Sequence, residues 1–174
     1  NEYLDIIKEY DSINDEMARK IILQKISNTI HGNIMVERWD TLEAELELGK
    51  FEELSVMLTE LKKAIRECVP NLKSLPEELD EIIDNDYIVA KIKDNVFYFD
   101  DFKKLTEYLF TYLRKFQSPS EDEMTQIFYE ELTELLDDFE FNFPFIVRFF
   151  LENMYLKFDN IRRQCFLFRD IGNQ

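Results

Sequence analysis

The sequence predicts an all-α protein, a single-domain multi-helix bundle of about 7–9 helices over residues 1–174. Three observations carry that expectation. Only three glycines and four prolines punctuate 174 residues, too little turn chemistry for a sheet protein, whose hairpins need glycine-bearing turns. Apolar residues recur at alternating spacings of three and four, the period of one helical face, and start and stop signals separate the runs. With 45% of its residues apolar, a chain of this length buries roughly two-thirds of the surface it exposes when unfolded.

Residues Glu2 to Tyr10 read as a short helix, and Asn14 or Asp15 caps a second that runs to about Thr29 through Met17, Ile21, Ile22, Lys25 and Ile26. Gly32 is expected to interrupt it, which makes His31 a junction residue rather than a ligand or base. From Asn33 to Leu48, Ile34, Met35, Trp39, Leu42 and Leu46 share a face, and Gly49 stands where a left-handed C-terminal residue belongs. Phe51, Leu54, Leu58, Leu61, Ile65 and Cys68 form the next stripe, stopped at Pro70. Ser74 and Glu77 have capping-box spacing, with Leu79, Ile82 and Ile83 as the buried side of the helix that follows.

Asp84 caps a short helix from Asp86 to Lys93 with Ile88 and Ile92 inward. Asp100 starts a longer one through Phe102, Leu105, Leu109, Tyr112, Leu113 and Phe116. Ser118-Pro119-Ser120-Glu121 supplies a second capping box with proline at the first helical position, and Met124, Ile127, Phe128, Leu132, Leu135 and Leu136 line the helix it opens. After an aromatic knot from Phe139 to Phe145, a last helix extends to about Phe168. No linker, low-complexity tract or internal repeat divides these elements.

The formal charge of −16 disfavours nucleic acid and anionic membranes as partners, because phosphate binding depends on lysine and arginine. No run reaches the roughly 20 apolar residues of a membrane span. Cys68 and Cys165 lie in apolar helical patterns where free buried thiols are commoner than bridges, and no secretory signal opens the chain. An intracellular, cytoplasmic location is expected.

Catalytic and metal chemistry find little support. A helical di-iron site needs two Glu-x-x-His motifs, and the chain has one histidine, His31. Asp84-Asn85-Asp86 begins like a calcium loop, but Val89 stands at the sixth position and Asn95 at the twelfth, where glycine and a bidentate glutamate belong. Helix capping accounts for these acids. There is no nucleophile elbow, glycine-rich phosphate loop or paired cysteine motif, so no enzyme activity, catalytic residue, cofactor or metal is expected.

Two surfaces remain as candidates for binding protein. One is the acidic rim Glu77, Glu78, Asp80, Glu81 and Asp84. The other is the terminal helix, where Arg148, Lys157, Arg162, Arg163 and Arg169 interleave with Phe149, Phe150, Phe158, Phe166 and Phe168. That pattern equally describes a core helix whose cations pair with the chain's own acids.

In order along the chain, four motifs resemble those of the T-complex protein 11 family. Arg38-Trp39-Asp40-Thr41-Leu42 is similar to the family's Phe-Trp-Asp-x-Leu, and Met57-Leu58-Thr59-Glu60-Leu61-Lys62 to its Leu-Leu-x-Glu-Ile-Lys. Glu81 to Ile88 resembles Glu-x-Leu-Asp-x-Asp-Leu-Ile, and Pro119-Ser120-Glu121-Asp122-Glu123 stands where Pro-x-Arg-Asp-Glu is expected. Departures are Glu121 for arginine, Gln117-Ser118 for Cys-Ala, and Ile161-Arg162-Arg163 for Tyr-Glu-Arg. The resemblance covers about Asn28 to Phe168 and describes a divergent or truncated member, matching the front part of a longer helical domain.

What the resemblance implies is a non-enzymatic, regulatory or adaptor module that binds other proteins, with a link to cyclic-AMP and protein kinase A signalling. The alternative is a helical bundle that self-associates or captures a partner helix, as a pathogen-derived mimic would. Protein partners are thus expected on either reading, and a homo-oligomer stays open.

Overall fold

The computed structural model describes residues 4, 5, 8 and 16–172, without the side chains of residues 17, 24, 25, 28, 29, 31 and 166–172. The expected helix over Glu2 to Tyr10 falls largely outside the described residues, as do Asn14 and Asp15. The chain divides into two compact units, Asn1–Thr41 and Leu42–Gln174. Seven α-helices and no strand occur among the described residues.

Helix α1 (Glu16–Glu47) runs through Gly32, where the sequence predicts a break. A single helical glycine costs only about 1 kcal/mol relative to alanine. Met35 and Trp39, just beyond it, are 7% and 1% exposed, and burying such side chains stabilises by about 1.5–3 kcal/mol each. Burial wins, and His31 sits within a helix rather than at a junction, its side chain outside the described residues. In the same unit Leu23, Ile30 and Ile34, spaced seven and four residues apart, are all exposed.

Gly49, at φ +72°, makes the left-handed turn after α1 that a β-carbon would strain. Helix α2 (Glu52–Cys68) buries Leu54, Met57, Leu58, Leu61, Ala64, Ile65 and Cys68, the stripe expected, and ends before Pro70. Helix α3 (Leu75–Ile82) begins without its capping box: Ser74 is itself in helical conformation and its hydroxyl caps nothing. A cap needs an extended residue whose side chain turns back on the first amides, and the helical backbone of Ser74 points its hydroxyl elsewhere. Helix α4 (Asn85–Lys93) does start on its predicted cap, Tyr87 N donating to Asp84 Oδ1 at 3.0 Å.

Helix α5 (Phe99–Phe116) opens at Tyr98, whose amide donates to Asp101 Oδ2 at 3.0 Å. The second expected capping box is also replaced. Pro119–Glu121 forms a 3₁₀ turn, Ser118 and Ser120 bond each other at 2.8 Å, and helix α6 (Asp122–Leu135) follows. Its buried face is Thr125, Phe128 and Leu132, while Met124 and Ile127, expected inward, are 57% and 41% exposed. Thr125 takes the inner position because Gln117 Oε1 accepts its hydroxyl at 2.6 Å, satisfying two buried polar groups.

Helix α7 (Phe143–Gly172) packs against α2, α5 and α6, and its pairing with α2 is the most extensive in the fold. Phe150 is fully buried there, with ring centroids 5.3 Å from Phe102 and 6.5 Å from Phe110. The terminal helix is therefore the centre of the second unit.

Candidate interaction surfaces

The cations of α7 were expected either to face a partner or to pair within the fold. Arg162 pairs within it: Nη1 donates to Glu67 Oε2 on α2 at 2.8 Å, Nε donates to Asp159 Oδ1 at 3.1 Å and Nη2 donates to the same oxygen. Its side chain is 16% exposed. Those carboxylates raise its pKa against the opposing effect of burial, so the guanidinium stays charged. Arg163 reaches the other oxygen of Asp159 at 2.9 Å from a half-exposed position. One buried carboxylate thus gathers both arginines.

Arg148 lies about 21 Å farther back along the helix axis, fourteen residues at the helical rise. It bridges Glu152 at 3.3 Å and Glu43 at 3.5 Å, with 19% of its side chain exposed. Lys157 is half-buried. The side chain of Arg169 is outside the described residues. Among the described side chains of the basic group, Arg163 is the most exposed.

The acidic rim divides in the same way. Asp80 accepts from Lys62 Nζ at 3.1 Å, and that ammonium also donates to the Ile83 carbonyl at 3.1 Å, closing the end of α3 onto α2. Glu78 accepts the hydroxyl of Tyr112 at 2.9 Å, and burial together with this carboxylate pushes the phenol up to about 12. Asp84 is occupied as a cap. All four acids of α3 are exposed, and Glu77 and Glu81 enter none of these bonds.

Beside Glu81 the structure forms a concavity that the sequence reading missed. Its volume is about 390 Å³, and it lies where the end of α3, the first turns of α4, Phe97 and α5 meet. Ile82, Ile88, Phe97 and Leu105 supply apolar lining, Tyr87 and Tyr108 are 58% and 49% exposed, and Glu81, Asp84, Asp101 and Lys104 carry the charge. The available signal was weak: Tyr87 and Tyr108 stand off the buried stripes of their helices, and nothing local says that they converge.

Three bonds hold these walls. Asn85 Nδ2 donates to the Ser55 carbonyl at 3.1 Å and to Thr59 Oγ1 at 2.8 Å, fixing the start of α4 to α2. Lys91 of α4 donates to Asp101 of α5 at 3.0 Å. The Tyr98 amide and then Lys91 hold the Asp101 carboxyl below its ordinary value despite some desolvation, and Asp101 raises Lys91 in turn. Among the described residues no group of three His, Cys, Asp or Glu side chains is arranged to hold a metal, and no helix is long and apolar enough to cross a membrane.

The fold is thus an all-helical scaffold in which most conspicuous polar side chains tie one helix to the next. The family model of T-complex protein 11 matches residues 14–153, and the chain belongs to that family. The match begins fourteen residues before the resemblance expected from about Asn28, and it ends at residue 153, short of Phe168 and of the last part of α7. No curated protein and no solved structure matches the chain.

Proposed function

We propose that this protein is a non-enzymatic helical regulatory or adaptor module that binds other proteins. One observation carries the reading: caps and interhelical ties occupy many of the conspicuous polar groups, whereas the concavity beside Glu81 is a partly apolar groove with an acidic rim, suited to contact rather than chemistry. Membership of the T-complex protein 11 family supports a regulatory role and, more finely, a link to cyclic-AMP and protein kinase A signalling. Glu77 and Glu81 of α3 offer one candidate binding surface and Arg163 and Lys157 of α7 another, while Glu78 is bonded to Tyr112 and Arg148 and Arg162 are held by ion pairs within the fold.

Affinity capture from the native source, comparing wild type with Glu77→Lys/Glu81→Lys and Lys157→Glu/Arg163→Glu, tests this reading. A defined set of proteins lost with one pair of substitutions supports it. Capture of nothing above background by the wild-type chain refutes it.

A second reading, self-association, is favoured by the exposed Leu23, Ile30 and Ile34 of α1. Sedimentation over a concentration series separates the two. A Leu23→Glu/Ile30→Glu variant that dissociates a wild-type dimer supports the second reading, and a wild-type chain monomeric at every concentration rejects it.

A further inference from the structure

Resting on the adaptor reading, we propose that the groove between α3, α4 and α5 docks a cationic peptide segment of a partner protein, with an arginine seated against Tyr87 and Tyr108 beside Glu81. The charge of the groove selects the occupant. Its lining includes the carboxylates Glu81, Asp84 and Asp101 and the ammonium Lys104; Lys91 already pairs with Asp101, which leaves Glu81 and Asp84, with Glu77 and Glu78 adjoining on α3, in a chain of net charge −16. An acidic or phosphorylated segment is repelled there, and an apolar helix leaves Glu81 and Asp84 without a counter-charge.

Aromatic rings give the arginine a face to lie on. Tyr87 already carries a cation over its ring, Lys91 Nζ at 5.1 Å from the centroid, and Tyr108 presents a second exposed ring to the same space. A guanidinium suits this better than an ammonium, because its planar, weakly hydrated fork stacks on an aromatic face while donating to a carboxylate. Ile82, Ile88, Phe97 and Leu105 then receive an apolar neighbour of that arginine. At about 390 Å³ the cavity takes side chains of a bound segment rather than a whole helix.

The site is preorganised, which lowers the cost of binding. Asp84 fixes the first turn of α4 and hence Tyr87, Asn85 anchors that turn to α2, and the Lys91–Asp101 pair sets the spacing of α4 and α5. None of these ties uses Glu81 or the hydroxyl of Tyr108, so both can be changed without loosening the scaffold.

The test is fluorescence anisotropy of a fluorescein-labelled arginine–leucine peptide titrated with the full chain, beside a glutamate–leucine peptide of equal length. The arginine–leucine peptide is expected to bind wild type, and Tyr108→Ala and Glu81→Lys each to weaken it about tenfold, roughly 1.4 kcal/mol. Glu134→Lys, the same charge change on α6 outside the groove, is expected to leave affinity within about twofold. Circular dichroism checks that each variant is folded.

Failure of the arginine–leucine peptide to bind overturns the proposal, as does equal weakening by Glu134→Lys or no effect of Tyr108→Ala. So does a wild-type dimer that Tyr108→Ala dissociates, which would give the groove to a second copy of this chain. Native partners captured equally by wild type and Tyr108→Ala remove the groove but leave the adaptor reading standing. Capture of no partner by the wild-type chain removes the adaptor reading itself.

Discussion

Arg162 on α7 donates to Glu67 on α2 at 2.8 Å, a bond spanning 95 residues of sequence across the most extensive helix pair of the fold. The same guanidinium serves Asp159, whose side chain is only 10% exposed. Removing it leaves a largely buried carboxylate paired with the half-exposed Arg163. Arg162→Ala is expected to destabilise by about 3 kcal/mol, because breaking a buried pair strands the other charge. Arg163→Ala, at a half-exposed position, costs about 1 kcal/mol or less. Urea unfolding of the two variants measures the difference, and equal midpoints would contradict the assignment.

Phe150→Ala removes a fully buried ring that meets Phe102 edge-on, with a centroid distance of 5.3 Å. The lost transfer energy and the residual cavity together cost about 3–5 kcal/mol. Phe150→Leu, which keeps most of the volume, is expected to cost clearly less. Thermal melts of the pair give the ranking.

Asp101 has a folded-state pKa below its ordinary 3.8, first through the Tyr98 amide and then through Lys91. Its contribution is fully present above the ordinary value and is lost as pH falls through the lower folded value. Lys91 has the opposite sign: its raised pKa gives stability that is complete below 10.5 and lost as pH rises through the folded value. Asp101→Asn is expected to lower stability at neutral pH and to flatten its loss in strong acid. Urea midpoints between pH 2 and pH 7 check both effects.

The Cys68 sulfur lies 3.3 Å from the carbonyls of both Ala64 and Phe158, alternative acceptors for its one proton, and burial, followed by the neighbouring Cys165, pushes its thiol up to about 12. Neutral pH therefore leaves it as unreactive thiol. Ellman's reagent is expected to leave Cys68 unmodified in the folded chain and to label it on unfolding. Rapid native labelling of a Cys165→Ser variant would show that Cys68 is accessible.

Local signals read well wherever the physics was local. Gly49 took its left-handed turn, Asp84 capped α4, and the stripe from Leu54 to Cys68 buried as its spacing required. Gly32 misled because a preference of about 1 kcal/mol was set against burial farther along the helix. Ser74 and Ser118 misled because a capping pattern states opportunity, and the backbone conformation decides whether the hydroxyl engages. Met124 and Ile127 lost the inner positions to Thr125, whose partner Gln117 lies eight residues back on the preceding connection.

By itself, the sequence determined the helical class, most helix boundaries and the family motifs, since periodicity, caps and proline stops act over a few residues. It also marked Arg148, Arg162, Arg163, Glu77, Glu78 and Glu81 as conspicuous. Only the tertiary structure decided which of them brace the fold and which face outward, because that depends on where helices distant in sequence come to rest. The groove is the clearest case: Ile82, Tyr87, Phe97 and Tyr108 line one concavity only when α3, α4 and α5 meet.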